Sequence, residues 1–126
     1  MPKAESGARV VVLGASTNQQ RYSFKAVQML KEYGYRPIPV HPAGHVVDGL
    51  PAVKSLTDIT GSVDTLTMYV GEKISSQQID MILKLKPRRV IFNPGAENKG
   101  LADKLRAAGI EVLEACTLVM LRTEQF

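Results

Sequence analysis

The sequence predicts an α/β fold: a single doubly wound, Rossmann-like domain built on a five-stranded parallel sheet. Three observations predict it. Short apolar runs alternate with amphipathic segments along the chain, the pattern of parallel strands joined by helical crossovers. The first run, Arg9-Val10-Val11-Val12-Leu13, is almost wholly apolar, as expected of a strand covered on both faces. A length of 126 residues suits one domain with one sizeable core and leaves little room for a second.

Each element follows from local chemistry. Residues 22–33 carry Phe24, Val27, Leu30 and Tyr33 at helical spacing, with Gly34 behind them as a C-terminal cap. Pro37-Ile38-Pro39-Val40 is the second strand. Each proline removes a backbone donor, so this strand is expected near a sheet edge or only partly paired. Residues 42–60 are punctuated by Gly44, Gly49 and Pro51, with a short helix expected around Ser55-Leu56-Thr57-Asp58-Ile59. Residues 65–70 form the third strand. Ser75 or Ser76 is expected to cap the next helix, whose apolar stripe is Ile79, Met81, Ile82 and Leu83 and which Pro87 ends. Arg89–Phe92 is the fourth strand. Asn98 caps a helix bearing Leu101, Leu105 and Ala108, closed by Gly109. Residues 110–113 are the fifth strand, and residues 117–121 a short closing helix. Residues 1–7, without a secretory signal, read as a flexible N-terminal arm, and residues 8–126 as the domain. A strand order of 3-2-1-4-5 follows if the chain reverses direction after strand three. Strands one and four then meet at the switch point, outside whose carboxyl ends such sheets bind ligands.

Composition narrows the function. Hydrophobic residues make up 44% and charged residues 22% of the chain, an ordinary balance for a soluble globular protein. No apolar run approaches the roughly 18–20 residues of a membrane span. The net charge of +4 would favour nucleic acid only if cations clustered. The densest group, Lys84, Lys86, Arg88 and Arg89, falls at a predicted helix end, where cations complement the helix dipole. Tryptophan is absent and aromatic residues are few, so no stacking platform for single strands is expected. Neither nucleic acid nor a membrane is expected as a partner. Cys116 is the only cysteine, so no internal disulfide forms. That suits a reducing compartment, the cytoplasm. The default reading of Cys116 is a buried, inert thiol.

Two loops carry the chemistry. The first, residues 14–23, follows a buried strand and opens a helix, where backbone N–H groups and the helix dipole hold a phosphate without any charged side chain. Gly14 and Ala15 make the turn, Ser16, Thr17 and Asn18 offer side-chain hydrogen bonds, and Arg21 adds a forked cation ahead of Tyr22. The dinucleotide fingerprint Gly-x-Gly-x-x-Gly is broken by Ser16 and Gln19, and His41-Pro42 stands where an acid should grip a ribose. A nicotinamide dinucleotide is therefore disfavoured. His41 is suited instead to a ribose, a phosphate or an adenine face. The second loop contains Asn93, Pro94 and Gly95; Gly95 permits a backbone that turns N–H groups toward a ligand. Tyr69 and Val70 end the third strand on the same rim. No catalytic set, metal-ligand spacing, nucleophile elbow or Walker-type lysine emerges.

In the order and spacing of these segments the chain resembles the small CoA-binding domain proteins, relatives of the N-terminal nucleotide domain of the succinyl-coenzyme A synthetase alpha subunit. The resemblance covers roughly residues 8–123. It rests on Val12-Leu13-Gly14-Ala15-Ser16, on Arg21-Tyr22-Ser23, on the run from Gly34 to Pro42, on Phe92-Asn93-Pro94-Gly95-Ala96-Glu97-Asn98 and on Glu114-Ala115-Cys116-Thr117. It implies coenzyme A or an acyl-CoA as the ligand, with the diphosphate at the first loop and the nucleotide end near the second strand. It further implies Gly14, Ser16, Arg21, Tyr22, His41, Pro42, Asn93 and Gly95 as contacts, and Cys116 as a thiol partner if it lies near the pantetheine end. The expected function is a binding module without catalytic residues of its own, alone, as a homo-oligomer or docked on a protein partner. The alternative is an enzyme of acyl-CoA or NAD(P)-dependent chemistry completed by a partner or oligomer.

Overall fold

The structure, a computed structural model, describes residues 3–126. Five parallel strands form the sheet: β1 (Arg9–Leu13), β2 (Arg36–Val40), β5 (Thr65–Met68), β6 (Arg89–Phe92) and β7 (Glu111–Glu114). A two-stranded antiparallel ribbon, β3 (Val46–Val47) and β4 (Leu50–Pro51), projects from the connection after β2. The helices are α1 (Tyr22–Glu32), α2 (Glu72–Ser75), α3 (Ile79–Leu85), α4 (Lys99–Ala107) and α5 (Thr117–Arg122). One face of the sheet packs Val11, Leu66, Val90 and Phe92 against α3 and α4; the other packs Val10, Val12 and Ile91 against α1 and α5. The doubly covered Rossmann-like sheet is thus the expected one.

Its order is not. The strands run β2-β1-β5-β6-β7, so the third strand of the sequence lies between the first and the fourth, and not beyond the second. The prolines supply the reason. Arg36 donates its N–H to Ala8 O at 3.0 Å, and Val40 O accepts from Gly14 N at 3.0 Å. By strand alternation Pro37 and Pro39 therefore face outward. Neither carries an N–H, so this edge cannot template a full ladder. Only a single parallel bridge forms there, Val53 against Val40, with Val53 N donating to Pro39 O and His41 N to Val53 O, both at 2.9 Å. The third strand pairs with β1 instead, Val10 opposite Thr65 and Leu13 opposite Met68.

Helix ends follow their sequence signals where glycine sets them. Gly34 has φ +89°, with Gly34 N bonded to Lys31 O and Tyr35 N to Leu30 O at 3.1 and 2.9 Å. Gly109, at φ +84°, repeats the arrangement behind α4. Both are Schellman motifs, which use orphan carbonyls of the last turn. The expected serine cap differs. The helical segment starts at Glu72 with Gly71 as N-cap and is interrupted by a 3₁₀ turn, Ser76–Gln78. Ser75 Oγ donates to Glu72 O at 3.2 Å, and both Ser75 and Ser76 accept from the Asn98 amide at 2.8 and 2.9 Å. Asn98 caps α4 as expected, accepting Leu101 N–H at 3.1 Å.

The cation group at residues 84–89 also divides. Lys84 lies in the last turn of α3. Arg88 pairs with Asp64 at 2.7 Å, and Arg89, 1% exposed, donates to Thr65 Oγ1 and Phe126 O at 2.8 Å each. Those two arginines tie strands and the C-terminal segment together and do not serve the helix dipole. Of the expected arm, Met1 and Pro2 lie outside the described residues. From Ala4 the chain lies on the body: Ala4 is buried and donates its N–H to Phe126 O at 2.9 Å.

Candidate functional site

The reversal of strand order falls between β1 and β5, so the switch point opens between the loops that follow them. Two adjoining clefts lie there. The first, about 390 Å³, is on the α1 side and brings together Gly14, Ser16, Arg21, Tyr22, His41, Tyr69, Val70, Pro94 and Gly95. The second, about 460 Å³, is on the α3 side; Pro42 joins it, and its apolar wall includes Leu56, Ile74 and Met81. Gly14, His41, Tyr69, Val70 and Gly71 line both.

The first loop is built by its own short polar side chains. Ser16 N bonds Ser23 Oγ at 3.1 Å, Asn18 N bonds Ser16 Oγ at 3.0 Å, and Gln20 N bonds Asn18 Oδ1 at 2.9 Å. Asn18 and Thr17 line neither cleft, and Ala15 is buried beneath the loop. Arg21 is the N-cap of α1, and its side chain makes no capping hydrogen bond. The positive end of an eleven-residue helix thus opens on the first cleft. Gly14 has φ +88°, and a Cβ there would stand 2.7 Å from Val70 Cγ1 and 3.0 Å from Tyr69 O. Glycine is required here by the close passage of the loop after β5.

His41 accepts Ala43 N–H on Nδ1 at 3.0 Å. In the neutral ring that leaves Nε2–H as the donor. The His41 and His45 rings lie 5.8 Å apart, but no group of three or more His, Cys, Asp or Glu is placed to hold a metal among the described residues. Tyr69 passes between the two clefts. Its hydroxyl is buried with no hydrogen-bond partner among the described residues, and burial raises its pKa well above that of a free tyrosine.

Asn93 is turned inward. It is 2% exposed; its NH₂ donates to Thr67 Oγ1 at 2.7 Å and Met68 O at 2.9 Å, and its Oδ1 accepts Thr117 N–H at 2.9 Å. Gly95, at φ +90°, makes its turn, but its N–H is taken by the Glu97 carboxylate at 2.9 Å. Cys116 is half-buried at the N-cap of α5 and lines neither cleft. The sequence reading missed Lys54, Leu56, Ile74, Gln78 and Met81 of the second cleft. They come from the irregular connection after β2 and from the broken helix, and no motif marks them.

These features fit an elongated anion with an apolar part. The uncapped helix end, Ser16 and Arg21 suit a diphosphate, and the wall of Leu56, Ile74 and Met81 suits a base or an aliphatic arm.

Over 71 residues, 56% of its length, the chain is 32% identical to the acetate–CoA ligase [ADP-forming] II subunit alpha of Pyrococcus furiosus, spanning only 16% of that subunit. The crystal structure of an uncharacterized protein superposes with a TM-score of 0.91 at 38% identity, covering 97% of this chain and 100% of that one. A Thermus thermophilus protein, cell-free ID.343, superposes with a TM-score of 0.85 at 28% identity, covering 95% of this chain and 91% of that one. No helix among the described residues is long and apolar enough to cross a membrane. The CoA binding domain model matches residues 8–122, nearly the whole domain from the start of β1 to the end of α5, and the chain belongs to that family.

Proposed function

We propose that the protein binds coenzyme A or an acyl-CoA across the two clefts, with residues 8–126 as the binding unit. The observation that carries this reading is the uncapped α1 N-terminus opening on the cleft at the switch point. The diphosphate sits against the first turn of α1, gripped by Arg21 and Ser16, while Gly14 keeps the loop against Val70. Backbone N–H groups at a helix end stabilise anionic oxygens without reorganising, and Arg21 adds charge-assisted hydrogen bonds. His41 offers Nε2–H to a phosphate or ribose oxygen. Leu56, Ile74 and Met81 exclude water from the apolar part. When bound, the coenzyme supplies a thiol or thioester; the chain supplies binding and orientation.

The protein acts as a binding module, in the reducing cytoplasm, alone, as a homo-oligomer or docked on a protein partner. The similarity to a ligase subunit of which the chain spans 16% supports a partner, because an enzymatic role would need residues from elsewhere. Calorimetry with coenzyme A, acetyl-CoA, NAD and ATP tests the reading. Coenzyme A should bind and NAD should not; binding of NAD without coenzyme A overturns it.

A further inference from the structure

A larger cleft, about 620 Å³, lies at the opposite end of the sheet, at the amino ends of β1, β2, β5 and β6. Its charged lining is Lys3, Arg9, Arg36 and Arg88 against Glu5 and Asp64. Arg9 and Arg36 are register partners, the first residues of two adjacent parallel strands. Like charges directly opposed across a strand pair destabilise it. Neither carboxylate of the cleft pairs with Arg9 or Arg36, and Glu5 forms no ion pair among the described residues. Asp64 is engaged by Arg88 Nε at 2.7 Å and by the Thr65 hydroxyl at 2.6 Å. Neither Arg9 nor Arg36 joins an ion pair among the described residues.

Arg9 is nonetheless held in place. Its Nη1 donates to Thr60 O at 2.7 Å and to Ser62 O at 2.9 Å. The loop passes around the guanidinium at Gly61, φ +82°, where a Cβ would stand 2.8 Å from Nη1. Arg36 is exposed on the same cleft. One guanidinium is thus pre-positioned and Arg36 lines the same cleft, so an anion entering it would meet both.

We infer that this cleft is an oxyanion site, in which a phosphate or carboxylate group is gripped between Arg9 and Arg36 with Lys3 alongside. The guanidinium fork matches paired oxygens, and an anion turns the repulsion of the two arginines into charge-assisted hydrogen bonds. A phosphorylated small molecule and an acidic protein segment share this chemistry. The site is separate from the proposed coenzyme clefts and does not depend on them.

Amide-resolved NMR titration of the whole chain at low ionic strength tests it, with pyrophosphate in one arm and hexaglutamate in the other. Saturable shifts at Gly7, Ala8 and Ser62 are expected with at least one probe; the probe that binds more tightly identifies the source. Arg36→Glu should weaken that binding about tenfold or more, while Lys73→Glu, the same charge change on α2 at the other end of the sheet, should leave it unchanged. Without anion, Arg36→Glu should melt higher, because the repulsion with Arg9 becomes attraction. The inference is overturned if neither probe moves those amides, if both variants weaken binding equally, or if Arg36→Glu melts lower.

Discussion

The Asn93 amide joins the end of β5 to the start of α5: its Oδ1 accepts Thr117 N–H at 2.9 Å while its NH₂ reaches Thr67 Oγ1 and Met68 O. Thr67 and Thr117 close the network with a 2.7 Å contact between their hydroxyls. The bracket sets the start of the loop that carries Pro94 and Gly95 to the first cleft. Asn93→Ala leaves buried donors and acceptors unpaired, and should cost roughly 2–4 kcal/mol. Urea unfolding measures this. A loss of coenzyme A affinity with full stability retained would show instead that Asn93 meets the ligand.

Gly14→Ala should be more damaging than Gly49→Ala, although both positions have positive φ. Nothing lies within 4 Å of a Cβ at Gly49, φ +81°, whereas one at Gly14 would meet Val70 and the Tyr69 carbonyl. Gly49→Ala should cost about 1–2 kcal/mol for backbone strain alone. Gly14→Ala should lose a further 1–3 kcal/mol or so from overpacking. Thermal or urea unfolding of the pair compares them; equal losses would remove the steric argument.

Arg21→Ala should weaken coenzyme A binding by about 1.5–3 kcal/mol, the scale of hydrogen bonds to a charged group. Arg21 is exposed and its side chain does not cap α1, so stability should change by no more than ~0.5 kcal/mol. Calorimetry alongside denaturation separates the two. Unchanged affinity takes Arg21 out of the site.

Acid stability should depend on Asp64. Burial alone would raise its pKa, but hydrogen bonds from Arg88 and Thr65 and the charges of Arg88 and Arg89 outweigh it, holding the carboxyl below its usual 3.8. A lowered pKa means that the folded state binds this proton less readily than the unfolded state. Its stabilisation is therefore complete above the unfolded value and is lost as pH falls through the lower folded value. Asp64→Asn should lower stability at neutral pH and flatten the dependence in that acidic window. Unfolding followed from pH 7 downward checks both.

Much of the architecture was legible because it is written locally. Apolar runs such as Val10–Val12 mark a covered strand, and glycine at residues 34 and 109 marks helix ends that only positive φ can make. Even the edge position of β2 was present in Pro37 and Pro39, although the expected strand order ignored what those prolines forbid. The first loop was legible for the same reason: a buried strand, a turn and a helix start follow one another in the chain.

What the sequence determined by itself was the strand–helix alternation, the break in the dinucleotide fingerprint at Ser16 and Gln19, and the rim on which most of the candidate residues fall. Tertiary structure decided the rest. It placed β5 beside β1 and so moved the switch point. It turned Asn93 inward as a bracket and gave the N–H of Gly95 to Glu97. It also gathered Leu56, Ile74 and Met81 into one apolar wall, and set Arg9 against Arg36 across a strand pair. Those outcomes depend on which residues, distant in the chain, come to share a hydrogen bond or a cleft, and no local periodicity encodes that pairing.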